Sequence, residues 1–258
     1  MVGTLQSLVA MPAIRPELLA LSLEALANAS NRPEVHIYAD TQANLRELEI
    51  VRDLYLPEAF LFHAKPHIQA PSGTWNILNA ILDASRWAQD VYLVEEDVLV
   101  YPYFFEWHQS QMAPASCGRR MLRYPNFDLY TNPGSCLRRP LLDKLVPHIT
   151  DDYFQDTAAY CAAHFPPDHI STLDDGLIRR VLRMNNLEWV FPPEPVCAHV
   201  GISGIKREGE GGGLDIYAIK GDTLEERIES VRRLVVNPPM QERYARLWEP
   251  FRPTSFAI

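Results

Sequence analysis

Val91-Tyr92-Leu93-Val94-Glu95-Glu96-Asp97 is the stretch on which the reading of the fold turns. Four β-prone residues describe a strand buried on both faces, and three consecutive carboxylates arrive where that strand should end. Ionised carboxylates are costly to bury without partners, so Glu95, Glu96 and Asp97 must reach water, basic groups or a bound cation. Hard oxygen ligands at the carboxyl end of a strand in an open α/β sheet are where a divalent metal and its phosphate ligand would sit. The plainer alternative is a solvated strand end.

Working outward toward the N-terminus, residues 5–11 read as a first strand, ended by Pro12. Pro16 then opens a helix with an apolar face of Leu18, Leu19, Leu21, Leu23 and Leu26. Residues 34–39 form a second strand, residues 44–54 a helix and residues 59–62 a third strand. This alternation predicts an α/β fold with a mostly parallel central sheet flanked by helices. Arg15, Asp40 and the segment after Phe62 then line one edge, at the carboxyl ends of the strands. A helix over residues 72–87 returns the chain to the acidic strand.

Beyond it, residues 103–111 read as a short helix, and 121–124 and 135–137 as strands. Helices follow over 141–145 and 153–164, another begins at Ser171-Thr172-Leu173-Asp174-Asp175, and extended segments lie at 188–191 and 196–199. Six glycines in residues 201–213 describe a loop that cannot pack a core. Asp222-Thr223-Leu224-Glu225-Glu226 supplies a capping box for a terminal helix.

The composition fits one soluble domain over residues 1–258. It divides into a nucleotide-binding half (1–112), an acceptor and catalytic half (113–221) and C-terminal helices (222–258). Hydrophobic residues make up 47% and the formal charge is −9, which disfavours long nucleic acid as a partner. Cys117, Cys136, Cys161 and Cys197 are irregularly spaced and predict free buried thiols. No apolar run approaches membrane-spanning length and strand-like sequence begins at once, so a cytoplasmic protein is expected.

The strand, the triplet and the continuation Pro102-Tyr103-Phe104-Phe105-Glu106 resemble the GT-A glycosyltransferases, a Rossmann-like family. Within it the motif is similar to that of the N-acetylglucosaminyltransferase that initiates hybrid N-glycans. The resemblance runs from about Leu5 to Gly204. Asp174-Asp175 looks like the family's Asp-Asp pair opening a late helix, with its flanking aromatics replaced by Leu173 and Gly176. The resemblance implies a nucleotide-sugar donor, UDP favoured, held with Mn²⁺ or Mg²⁺ through a DXD-like motif. Asp97 matches the metal-binding carboxylate, and Glu95 and Glu96 match positions that support the metal and contact ribose or sugar. Arg15 matches a diphosphate contact and Asp40 the acid that reads the base.

Physical logic supports these roles separately. A departing nucleoside diphosphate gains negative charge, which a cation on Asp97 would offset. His199 is the candidate second ligand. An inverting transfer needs a base for the acceptor hydroxyl, and Asp174 or Asp175 would supply it, Asp174 first. The structural alternative is that both acids open a helix capped by Ser171 or Thr172. Lys206 and Arg207 in the glycine-rich segment could meet the diphosphate as part of a lid. Arg119-Arg120, Arg138-Arg139 and Arg179-Arg180 read as solvated faces, and Tyr130, Trp75 and Trp189 as core rather than sugar platforms. A sugar-phosphate nucleotidyltransferase is disfavoured because residues 11–16 contain no glycine. A non-catalytic nucleotide-sugar or carbohydrate-binding module is the other alternative. Glycans, proteins, small molecules and a hydroxylated nucleobase are all compatible acceptors.

Overall fold

The computed structural model describes residues 5–63, 72–118, 134–200 and 219–236. Strand β1 (Leu5–Ala13), helix α1 (Pro16–Ala27), β2 (Glu34–Ala39), α2 (Leu45–Tyr55) and β3 (Phe60–His63) alternate as expected, and α3 (Ser72–Ala84) leads to β4 (Ala88–Leu93). Next come β5 (Val98–Val100), α4 (Phe104–Ser110), β6 (Ala115–Cys117), β7 (Ser135–Arg138) and α5 (Arg139–Leu145). The rest is α6 (Asp151–Gln155), α7 (Thr157–His164), α8 (Asp174–Met184), β8 (Trp189–Val190), β9 (Cys197–His199) and α9 (Leu224–Val236).

Among the described residues the main sheet has seven strands in the order β3-β2-β1-β4-β7-β6-β8. β1 pairs in parallel with both β2 and β4, Ala13 opposite Ala39 and Ala10 opposite Leu93. β7 is antiparallel to β4 and to β6, while β8 runs parallel to β6. This is the mostly parallel, helix-flanked α/β architecture that the alternation predicts. The chain runs from β1 outward to β3 and then returns to the other side of β1, so a crevice opens at the carboxyl ends of β1 and β4.

Side chains of β1 alternate between two apolar layers. Val9 and Met11 join Val35 and Ile37 of β2 beneath α1, α2 and α9, whereas Leu8 and Ala10 join Val91 and Leu93 of β4 beneath α3, α5 and α8. Burial on both faces explains the unbroken apolar run at the end of β4. All four cysteines are buried, and none is in a disulfide. Trp75 and Trp189 pack against the second layer, as read from the sequence. Among the described residues no helix is long and apolar enough to cross a membrane.

Several boundaries differ from expectation. Pro12 lies inside β1, not at its end. Its carbonyl accepts the Glu96 N–H at 3.2 Å. The amide hydrogen it lacks would point the same way, just beyond the last ladder pair with β4, so little pairing is lost. The helix expected over 153–164 is two, because the Asp156 carboxylate accepts the Ala158 and Ala159 amides at 3.1 and 2.9 Å and starts α7 afresh. α3 stops at Ala84 and β4 begins at Ala88, earlier than expected. β6 and the two-stranded sheet of β5 and β9 were not foreseen. The strand expected at 121–124 lies outside the described residues. The capping box at α9 is present: Thr223 Oγ1 accepts the Glu226 amide at 3.2 Å, and Glu226 Oε2 accepts the Thr223 and Asp222 amides.

The arginine pairs need a larger correction. Arg138 donates to Asp90 Oδ2 at 2.8 Å and to the carbonyls of His108 and Gln111, tying α4 to the sheet. Arg139 ties to the Ser85 carbonyl at 2.9 Å and also to that of Ala88. Arg180 is buried, with Asp168, Ile170 and Ser171 as partners. These guanidiniums satisfy carbonyls at element ends, which a solvated face would leave to water. Arg119, Arg120 and Tyr130 lie outside the described residues.

Candidate active site

Arg15 sits between β1 and α1, held there because Pro16 opens the helix and the Arg15 carbonyl accepts the Leu19 amide at 3.0 Å. Its guanidinium forks across the acidic triplet: Nε donates to Glu96 Oε1 at 2.7 Å and Nη2 to Asp97 Oδ2 at 2.9 Å. The backbone behind the triplet is fixed by the Glu96 amide on Pro12 and the Val94 amide on Ala10. Glu96 and Asp97 are buried, so the triplet is not a solvated strand end.

The small sheet delivers His199. β5 pairs antiparallel with β9, Val98 opposite His199, and the Val200 amide donates to the Asp97 carbonyl at 2.8 Å. Ser22 of α1 pins the same corner by donating to the Val98 carbonyl at 2.6 Å. His199 Nε2 consequently lies 3.2 Å from Asp97 Oδ1. That oxygen is buried, and the approach lacks hydrogen-bond geometry, so among the described residues it has no hydrogen-bond partner. A buried carboxylate oxygen left over beside an imidazole nitrogen suits a divalent cation. Among the described residues no cluster of three or more His, Cys, Asp or Glu side chains could hold a metal. Asp97 and His199 could supply two ligands to such a cation, the rest of its shell coming from outside the protein.

Electrostatics separate the carboxylates. Burial alone would raise Asp97, but the interactions with His199 and Arg15 outweigh it and hold the carboxyl well below its usual range. Burial pushes Glu96 up to about 7, opposed by Arg15 and reinforced by Asp97. Glu95, partly exposed, is also raised, by burial and then by Asp97 and Asp174. Burial would lower Arg15, yet Glu96 and Asp97 raise it further.

Asp174 and Asp175 open α8, whose N-cap is Leu173, not Ser171 or Thr172. The Ser171 hydroxyl instead accepts the Leu173 amide at 3.2 Å. Ser171 approaches the helix so closely that a Cβ on Gly176 would lie 1.7 Å from its carbonyl oxygen. Gly176 is thus required where the family resemblance would place an aromatic. Burial, then Asp175, raises Asp174 to about 6, against the lowering effect of a 2.9 Å hydrogen bond from Thr74 Oγ1. Asp174 also adds to the raising of Glu95, so the two acidic sets interact.

Asp40 lies at the end of β2, its amide on the Ala13 carbonyl. Oδ1 accepts the Gln42 amide at 2.9 Å, so it shapes the local turn. Lys206, Arg207 and the whole stretch 201–213 lie outside the described residues. Thr74, Ser22 and the β5–β9 pairing escaped the sequence reading; Thr74 and Asp174 are 100 positions apart, and no local pattern announces their contact. Cavities of about 370 Å³ beside Lys220, Ser230 and Arg233 and about 430 Å³ beside Met112, Leu187 and Val190 contain none of the site residues.

No protein-family model and no curated protein matches the sequence. Several solved structures resemble it in part. The galactosyltransferase LgtC, in complex with donor and acceptor sugar analogues, aligns with a TM-score of 0.49 and 12% identity over 72% of this chain and 73% of that one. S. aureus TarS 1-349 aligns at 0.47 and 16% over 75% of this chain and 59% of TarS. The apo-form glycosyltransferase GlyE of Streptococcus pneumoniae TIGR4 aligns at 0.43 and 10% over 73% of this chain and 45% of GlyE. These are partial likenesses, and this chain's own sheet order and contacts define its site.

Proposed function

We propose that the protein is a metal-dependent, inverting glycosyltransferase of the GT-A type. It would move a sugar, a hexose or N-acetylhexosamine, from a nucleotide-diphosphate sugar, UDP favoured, to an acceptor hydroxyl. One observation carries the reading: buried Asp97 Oδ1, without a hydrogen bond among the described residues and 3.2 Å from His199 Nε2, at the crevice between β1 and β4.

Asp97 and His199 hold Mn²⁺ or Mg²⁺ in this reading. When bound, the ion supplies Lewis-acid stabilisation of the charge that grows on the diphosphate as the sugar leaves. Arg15 keeps Asp97 ionised and turned toward that ion, and its guanidinium borders the diphosphate position. Glu95 and Glu96 border ribose and sugar, and Asp40 borders the base. Asp174, at about 6, is largely ionised at neutral pH and takes the proton of the acceptor hydroxyl. Lys206 and Arg207 are proposed as further diphosphate contacts.

The test is UDP release from UDP-glucose, UDP-galactose and UDP-N-acetylglucosamine with Mn²⁺, with Mg²⁺ and with EDTA. Metal-dependent release from at least one donor is expected, with inversion at the anomeric carbon of the product. Undiminished release in EDTA would reject the metal site, and retained configuration the inverting route.

A further inference from the structure

We infer that Thr74 is a positioning residue for the Asp174 carboxylate, reaching across from the nucleotide-binding half to fix the base in the catalytic half. The inference rests on the reading of Asp174 as that base. Thr74 lies in the first turn of α3, is 3% exposed, and donates from Oγ1 to Asp174 Oδ1 at 2.9 Å. α3 packs on α8. The donor is itself held: two residues on, buried Asn76 donates from Nδ2 to the Tyr38 carbonyl at 2.9 Å, anchoring the start of α3 to the carboxyl end of β2.

Thr74 thus stands on a helix start tied to the sheet edge that carries Arg15 and Asp97, while Asp174 stands on a helix brought in from far along the chain. A base must stay within hydrogen-bond reach of the proton it removes, and displacement by about 1 Å can cost on the order of 100-fold in rate. The hydroxyl therefore joins the two halves at the atom where their alignment matters. It also offsets a charge problem. Among the titratable groups that interact with Asp174 are Asp175 on its own helix, Glu95 after β4 and Tyr153 on α6. Together with the amides opening α8, the Thr74 donor opposes the burial and repulsion that favour the protonated form.

Thr74→Val removes the hydroxyl at nearly constant volume, and Thr74→Ser keeps it. Two readouts decide. The first needs no substrate: the ¹³Cγ resonance of Asp174, assigned by its loss in D174N, should titrate near 6 in the wild type. Its midpoint should move up by about one pH unit in T74V and stay in place in T74S. The second is UDP release with Mn²⁺ from whichever of the three UDP-sugars above is hydrolysed fastest. T74V should lower kcat about 10- to 100-fold with KM little changed, shift the acidic limb of the kcat profile upward, and have no further effect in a D174N background. T74S should restore the wild-type profile. If T74V does not fold, Thr74→Ala takes its place. An unmoved Asp174 midpoint, or a full T74V effect in D174N, would overturn the positioning role. Wild-type turnover in D174N would overturn the assignment of the base, and with it this inference.

Discussion

Asp97 and Asp174 are aspartates of one acidic site, but Asp97 faces Arg15 and His199 while Asp174 interacts with Asp175 and Glu95 and accepts a hydrogen bond from Thr74. The first is held ionised far into acid; the second is raised to about 6. Identical side chains acquire opposite titration behaviour because the pull of Arg15 and His199 outweighs burial at Asp97, whereas burial and Asp175 prevail at Asp174. A permanently charged carboxylate suits a cation ligand, whereas one near its midpoint at working pH suits proton transfer.

The sharpest way to break that contrast is Asp97→Ala. It should lower UDP release by at least about 1,000-fold and abolish Mn²⁺ binding followed by electron paramagnetic resonance. The folded state should persist, because the residue lies in the turn between β4 and β5 and supplies no apolar core volume. Wild-type turnover with Mn²⁺ unbound would remove the metal reading. Asp174→Asn comes next, with kcat reduced about 100- to 10,000-fold while Mn²⁺ and UDP affinities stay within about twofold. Equal loss of UDP affinity would mean that the two aspartates do not divide the work as proposed.

What the sequence disclosed about this pair was uneven. The end of β4 and its acids were legible because an apolar run meeting three carboxylates is a local pattern, and the alternation of strands and helices set Arg15 and Asp40 at the same edge. The contacts that give each aspartate its character were not. Arg15 and Asp97 are 82 positions apart and Thr74 and Asp174 are 100 apart, and only the folded sheet brings them together. Arg180 shows the same limit. Paired arginines look solvated in a sequence window, yet Arg180 is buried because the loop over 168–171 folds onto α8 and leaves carbonyls that need donors.

Gly176 tests how closely that loop sets the position of Asp174. Its added Cβ would meet the backbone carbonyl of Ser171, which cannot swing aside as a side chain can. Gly176→Ala should therefore cost about 1–3 kcal/mol of stability by forcing loop and helix apart, visible as a lower thermal midpoint. It should also reduce turnover by moving Asp174, while Mn²⁺ binding at Asp97 persists. Unchanged stability would show that α8 can shift freely, and the close approach would then have no part in placing the base.

The smallest expected effect is also the most direct measure of the contrast, because it needs neither substrate nor metal. An aspartate titrates near 3.9 in the unfolded chain. Asp97 lies below that value when folded, so its contribution to stability is fully present above about pH 4 and is lost as the pH falls through the folded value. Asp174 is the reverse: raised to about 6, it favours the folded state while protonated, and this advantage disappears as pH rises from about 4 to about 6. In EDTA, Asp97→Asn should be less stable than wild type at neutral pH and approach it in acid. Asp174→Asn should match wild type near pH 4 and become the more stable protein above about pH 6. The gain, on the order of 1–3 kcal/mol, corresponds to a rise of a few degrees in thermal midpoint. Asparagine at 174 would then stabilise the protein by removing a charge kept at a cost for proton transfer, which is the stability an enzyme gives up at a working base. Parallel pH curves for the two variants would show that Asp97 and Asp174 occupy equivalent environments, and the division of roles between them would fall.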